Sequence, residues 1–265
     1  MPVTTRDGAS LYWEKHGQGP ALILGAGLGG VGSYWAPNLA LLTAHFTVYL
    51  FDQRGTGRSS REPVHSIEQM SADLIAVMED AGLARAMYLG HSTGGAIGVA
   101  TALDHPDRIA SMMIYASTTC GDAYRRKVLG LRSKLFSGLG IEAYAQYSSL
   151  LLYPPYWINA HEEELTETEA ATPDQLGNSD VQASRFEAIL NFDRRAELTR
   201  ISIPTLVLCA DDDILTPRYF SEEYVRLIPG AQGHWVARGG HALSRTEPDI
   251  FNEIAIRFFE GTSSQ

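Results

Sequence analysis

A chain of 265 residues, 45% hydrophobic and 20% charged, has the size and balance of one soluble α/β domain with a buried core. A net charge of −10 without any basic stripe argues against a nucleic-acid partner. No apolar run is long enough for a signal peptide or a membrane span, so no membrane partner is expected and a cytoplasmic location is the default. Cys120 and Cys209 lie far apart in sequence, and both read as small buried hydrophobes rather than a disulfide or a zinc site.

In chain order, "SLYWEKHG" (10–17), "ALILGAG" (21–27) and "FTVYLFDQRG" (46–55) read as strands. "SIEQMSADLIAVMEDAGL" (66–83) is an amphipathic helix with Ile67, Met70, Leu74, Ile75 and Met78 on one side. Ser66 and Gln69 make a capping-box pattern at its start. A strand from Ala86 to Gly90, a helix from Thr93 to about His105 and a strand "RIASMMIYAS" (108–117) follow. Residues 119–196 are helical and aromatic with no evident strand. Alternation resumes with "IPTLVLCA", "RYFSEEYVRLI", "GHWVARGG" and "PDIFNEIAIRFFEG". A βα alternation implies a mostly parallel sheet flanked by helices. The expected division is a core of residues 1–118 and 197–265, with 119–196 inserted as a helical lid.

The chemistry concentrates in "LGHSTGGAIG" (89–98). Strand, tight turn and helix meet at Ser92. Glycines two places before and after it, Gly90 and Gly94, remove the side chains that so sharp a turn would crowd. Ser92 Oγ is thereby exposed beside a helix N-terminus, where developing negative charge is favoured. A serine needs a base, and the base needs a carboxylate to orient it. Of the downstream histidines, His105 falls at a helix end, His161 in the insertion and His234 in a strand. His241, in the loop "GGHA" before the last helix, is the expected base. Asp211, Asp212 and Asp213 all follow a strand at its carboxyl end, and their spacing alone does not choose among them. The N–H of Thr93 is one expected oxyanion donor, with a second from the glycine-rich loop "LGAGLGGVGSYW" (24–35). "GAGLGG" in that loop also fits a dinucleotide fingerprint. A cofactor site there is rejected because "DQRGTGRS" makes another turn after Asp52, and because the serine elbow and His241 would go unexplained. No cofactor and no metal are expected.

"GLGG" (27–30), "DQRGTGRS" (52–59), "GHSTGG" (90–95), "DDDILTP" (211–217) and "GGHA" (239–242) together resemble the α/β-hydrolase superfamily over nearly the full chain. The resemblance implies a Ser92–His241–Asp213 triad, since family members place the acid four residues before a proline, here Pro217. It also implies that Leu28 gives the second oxyanion N–H. Ala26 and Ala210 stand where a histidine and a glycine are usual. "LLYPPYWINA" and "GGHALSRTEPDIFN" add a closer resemblance to the 3-aminoacrylate, or carbamate, hydrolases of the Rut pyrimidine-degradation pathway. The function so implied is hydrolysis of a small ester, amide or carbamate-type substrate. A carboxylesterase or a 3-oxoadipate enol-lactonase is the alternative, and a slow-turnover ligand receptor on the same fold is another. The expected partner is a small-molecule substrate, and a homodimer is open.

Within the insertion, Tyr144, Tyr153 and Trp157 are candidates for the pocket wall, with Tyr147 and Tyr156 near them. Arg125, Arg126 and Arg132 are read as exposed helix arginines rather than carboxylate ligands, and "HEEELTETEAATPD" (161–174) as a solvated surface.

Overall fold

The computed structural model describes residues 3–263. Eight strands form one sheet in the order β1-β2-β4-β3-β5-β6-β7-β8. They are β1 (Val3–Arg6), β2 (Ala9–His16), β3 (Ala21–Gly25), β4 (Thr47–Phe51), β5 (Ala86–His91), β6 (Ile109–Tyr115), β7 (Thr205–Ala210) and β8 (Gln232–Val236). The β1–β2 and β2–β4 pairs are antiparallel, and every other pair is parallel. Two features escape the sequence reading: β1, whose four residues are never fully buried, and the antiparallel edge. Strands β5 and β7 are buried at every position, which explains their continuous apolar runs.

Twelve α-helices accompany the sheet among the described residues. The first three are α1 (Ala36–Leu42), α2 (Ile67–Asp80) and α3 (Thr93–Asp104). The five residues expected on the inner side of α2 are all buried, and each such side chain contributes roughly 1.5–3 kcal/mol. Its capping box is modified. Ser66 Oγ accepts from Gln69 N at 3.1 Å, while Gln69 Oε1 accepts from His65 N, one residue outside the expected partner.

Between β6 and β7 the chain adds no strand to the sheet. It runs through α4 (Ala123–Leu139), α5 (Ile141–Leu152), α6 (Pro155–Ala160), α7 (Glu162–Ala170), α8 (Thr172–Gln175) and α9 (Ser179–Asn191). Helices α10 (Tyr219–Leu227), α11 (Leu243–Thr246) and α12 (Pro248–Ser263) complete the molecule. No helix among the described residues is long and apolar enough to cross a membrane.

The centre of the fold is a three-glycine contact. Gly25 of β3 and Gly90 of β5 are register partners. A Cβ on Gly94, in the first turn of α3, would stand 2.3 Å from Gly25 O, and one on Gly90 would stand 2.4 Å from Gly94 O. Those neighbours are backbone atoms, which cannot swing aside. Gly130, inside α4, has nothing within 4 Å of its would-be Cβ. Gly94→Ala should therefore lower stability by about 1–3 kcal/mol or more. Gly130→Ala should raise it by about 0.5–1 kcal/mol through helix entropy. Urea unfolding of the two variants beside the parent would check both signs.

Candidate active site

Ser92 sits between β5 and α3 at φ 53° and ψ −115°. A non-glycine residue held there costs on the order of 1–3 kcal/mol, so its surroundings must fix it. Its N–H donates to Tyr115 O at 2.8 Å, and its carbonyl accepts from Gly95 N at 2.9 Å and Ser117 Oγ at 2.7 Å. The glycine contact beneath supplies the room.

His241 follows β8 through Gly239 and Gly240, whose φ values of 138° and 65° suit glycine. Asp212 Oδ1 accepts from Gly240 N at 2.8 Å, which gives this neighbouring aspartate a loop-holding task. Asp211 pairs with Arg218 at the surface. Only Asp213 reaches the imidazole: its Oδ2 lies 2.9 Å from His241 Nδ1, with both side chains buried. The Asp213 carboxylate also accepts from Leu215 N, Thr216 N and Thr216 Oγ1 at 2.7–2.9 Å. Nδ1 must then carry the proton, and Nε2 is left with its lone pair. Thr216 Oγ1 stands 3.1 Å from His241 Nδ1 and 3.0 Å from Ala116 O, so one hydroxyl links Asp213, His241 and the end of β6.

His91, beside the serine, has a different task. Its ring stacks between Tyr34 and Tyr115, with centroids 4.7 and 4.6 Å away. Its Nε2 donates to His241 O at 3.0 Å, and Tyr115 Oη donates to the same carbonyl at 2.7 Å. Burial, and then the neighbouring His241, push its pKa well below the usual histidine range, so it is a neutral prop.

The loop from Ala26 to Gly30 is held from outside its own sequence. Gln53 Nε2 donates to Ala26 O at 2.7 Å. Arg185 of α9 donates through Nη2 to Leu28 O at 2.9 Å and to Gln53 Oε1 at 2.6 Å, and through Nη1 to Arg54 O at 2.6 Å. Leu28 thus has its carbonyl anchored where the usual histidine at position 26 is absent. Thr93 opens α3, so its N–H is among the four amides that have no acceptor within the helix. Gly27 approaches Ser92 closely: a Cβ there would be 3.3 Å from Ser92 Cβ. Sequence reasoning missed Arg185. Its signal was faint: an arginine at helical spacing among Val181, Phe186 and Ile189, on the inward face of α9.

Ser92, His241 and Leu28 line one cavity of about 430 Å³, together with His91, Tyr34, Tyr144 and Tyr153. That volume suits a small organic ligand. Trp157 lies behind the wall rather than on it, stacked on Tyr153 at 4.4 Å and on His161 at 4.2 Å. Two further expectations need correction. Arg125 and Arg132 are not exposed; both are buried, because that face of α4 packs inward toward α5 and α9. Arg126 alone of the three lies on the surface. The acidic run is solvated only in part. It forms α7 and α8, buries Leu165, and lends Glu167, Thr168, Glu169 and Thr172 to the cavity wall. Both cysteines are buried and free, and burial pushes the Cys209 thiol up to about 12.

Residues 20–248 match the model of the alpha/beta hydrolase fold family. The chain belongs to the α/β-hydrolase family. This α/β hydrolase is 38% identical to a protein of Azorhizobium caulinodans named "Putative carbamate hydrolase RutD", over 97% of this chain and 98% of that one. A protein of the same name from Caulobacter vibrioides is 37% identical, over 98% of each. The enol-lactonase of Burkholderia xenovorans LB400 superposes with a TM-score of 0.90 at 26% identity, over 98% of this chain and 100% of the other.

His91 generates a pH prediction for this hydrolase. Its folded pKa lies below the unfolded value, so between the two the unfolded chain binds more protons. Stability is full above about pH 6.5 and is lost as pH falls, at up to about 1.4 kcal/mol per unit. His91→Phe should flatten the decline between about pH 6.5 and 5.5 relative to the parent. Denaturant titrations at a series of pH values would show it, and parallel slopes would count against the assignment.

Proposed function

We propose that this hydrolase is a serine enzyme that cleaves a small ester, amide or carbamate-type substrate through Ser92, His241 and Asp213. One observation carries the reading. The Asp213–His241 hydrogen bond of 2.9 Å orients an imidazole on the wall of the same cavity that holds a strained, glycine-flanked serine. Likeness to the two proteins named as carbamate hydrolases supports a carbonyl substrate with a nitrogen or oxygen leaving group.

In this mechanism Ser92 Oγ attacks the carbonyl carbon as His241 Nε2 takes its proton. Asp213 holds the imidazole in the required tautomer and stabilises the imidazolium that forms. The N–H groups of Leu28 and Thr93 receive the oxyanion, each contributing on the order of 3 kcal/mol to the transition state. Collapse expels the amine or alkoxide, protonated by His241. Water then repeats the sequence on the acyl-serine, with His241 again as base. Helices α4–α9 serve as the lid in this reading, because α5, α7 and α8 supply much of the cavity wall.

A lactonase is the second reading, favoured by the close superposition on the Burkholderia enol-lactonase. The machinery would be the same, with the leaving group tethered to the acyl group.

Ser92→Ala should lower kcat on p-nitrophenyl esters by on the order of 10⁴-fold or more, and Asp213→Asn by about 10⁴-fold. The parent should show a burst of p-nitrophenol and an acyl mass adduct on the Ser92 peptide. Unchanged turnover by Ser92→Ala would overturn the mechanism. Acid-quench kinetics on enol-lactones and carbamates would separate the two substrate readings.

A further inference from the structure

Arg132 is a buried cation on the cavity wall without a counter-ion. It is 5% exposed, and no carboxylate among the described residues lies within 4.0 Å of its nitrogens. Its Nη2 donates to Tyr144 Oη at 2.8 Å and Ser148 Oγ at 3.1 Å, which uses both protons of that nitrogen. Nε is buried with no acceptor, and Nη1 makes no hydrogen bond among the described residues. The rings of Tyr144 and Phe186 stand 5.1 and 5.8 Å from the guanidinium carbon, which offsets part of its desolvation. A buried guanidinium usually has a carboxylate or a full set of acceptors. This one has neither.

The neighbourhood adds to the positive potential. Arg125, two turns away on α4, is also buried without a carboxylate within reach. Burial, with Arg132 second, pushes its pKa down to about 10. The other charged groups on the wall are placed differently. Arg245 is paired with Glu164 at 3.5 Å, Glu167 is exposed, and Glu169 is half-buried.

We infer that Arg132 is the receptor for a carboxylate on the non-reacting part of the substrate, so that the preferred substrates are monoanionic acyl compounds. Carboxylate and guanidinium would then neutralise each other in a desolvated cavity, with a charge-assisted hydrogen bond to Nη1. Tyr144 and Ser148 hold the guanidinium ready. The inference rests on the cavity being the hydrolytic site, and it adds which acyl groups that site selects.

Binding tests it separately from turnover. The Ser92→Ala protein would be titrated calorimetrically with monomethyl succinate and with dimethyl succinate. The expected result is about 10- to 100-fold tighter binding of the monoanion, the range of a hydrogen bond to a charged group. Adding Arg132→Gln should bring the two ligands to about equal affinity, and Arg132→Lys should keep part of the preference. Thermal melts confirm that each variant is folded. With Ser92 restored, Arg132→Gln should raise KM for mono-p-nitrophenyl succinate by a factor at least about tenfold larger than for p-nitrophenyl butyrate. A parent that binds both ligands equally, or neither at millimolar concentration, overturns the inference. So does a preference that survives Arg132→Gln. If Ser92→Ala kept full turnover, the catalytic reading would fall while the binding preference stood or fell on its own result.

Discussion

Everything at the carboxyl end of the parallel strands, where Ser92 and His241 meet the cavity, depends on how closely α3 approaches β3. Gly94 lies where a single methyl group would strike Gly25 O at 2.3 Å, and Tyr88 Oη donates to Gly94 O at 2.8 Å from the strand between. That approach lets the chain leave β5 and enter α3 through one residue. The one residue is Ser92, and its positive φ is the geometric cost. The neighbours of Ser92 are small for this reason.

The second organising constraint is electrostatic. The insertion carries three buried guanidiniums, on Arg125, Arg132 and Arg185, none with a carboxylate within 4 Å among the described residues. Each is compensated differently. Arg185 spends its donors on backbone and amide oxygens, Arg125 reaches Leu215 O, and Arg132 rests on aromatic faces with donors left over. Arg54 shows the contrast: it is equally buried and is held bidentately by Asp73 at 2.6 and 2.9 Å. Arg54 is fully paired, whereas Arg132, on the cavity wall, keeps donors without acceptors among the described residues.

The sequence made much of this legible because the relevant signals were local. The elbow announced itself through glycine spacing, α2 through its apolar stripe, and His241 through a glycine-rich loop before the last helix. Choosing Asp213 over its two neighbours needed more than spacing, since each aspartate has an ordinary turn or surface use, and Asp211 and Asp212 do have such uses. The insertion was least legible. Its helices follow from composition, but their inward faces depend on how α4, α5 and α9 pack on one another. Arginine on such a face reads as solvent-exposed until that packing is known. Trp157 misled for the same reason, since aromatic residues in a helical segment look alike whether they line a wall or stand behind it.

The Arg185 anchor has a consequence for how the cavity is entered. Its guanidinium ties α9 to Leu28 O, Arg54 O and Gln53 at once. Swinging α9 outward would strip Leu28 O of its donors and leave a desolvated cation with nothing to hold. The helices of the insertion are therefore unequal in freedom. α9 is bolted to the Ala26–Gly30 loop. α8 is tied to the core by Arg61, which donates to Asp174 O and Gln175 O at 2.8 and 2.6 Å, and by Gly57 N, which donates to Gln175 O at 2.7 Å. α7 is short, largely exposed, and still contributes Glu167, Thr168 and Glu169 to the wall. Outward movement would cost least at α7, which is linked to the core through the 3.5 Å Arg245–Glu164 pair, and it would leave the Ala26–Gly30 loop assembled.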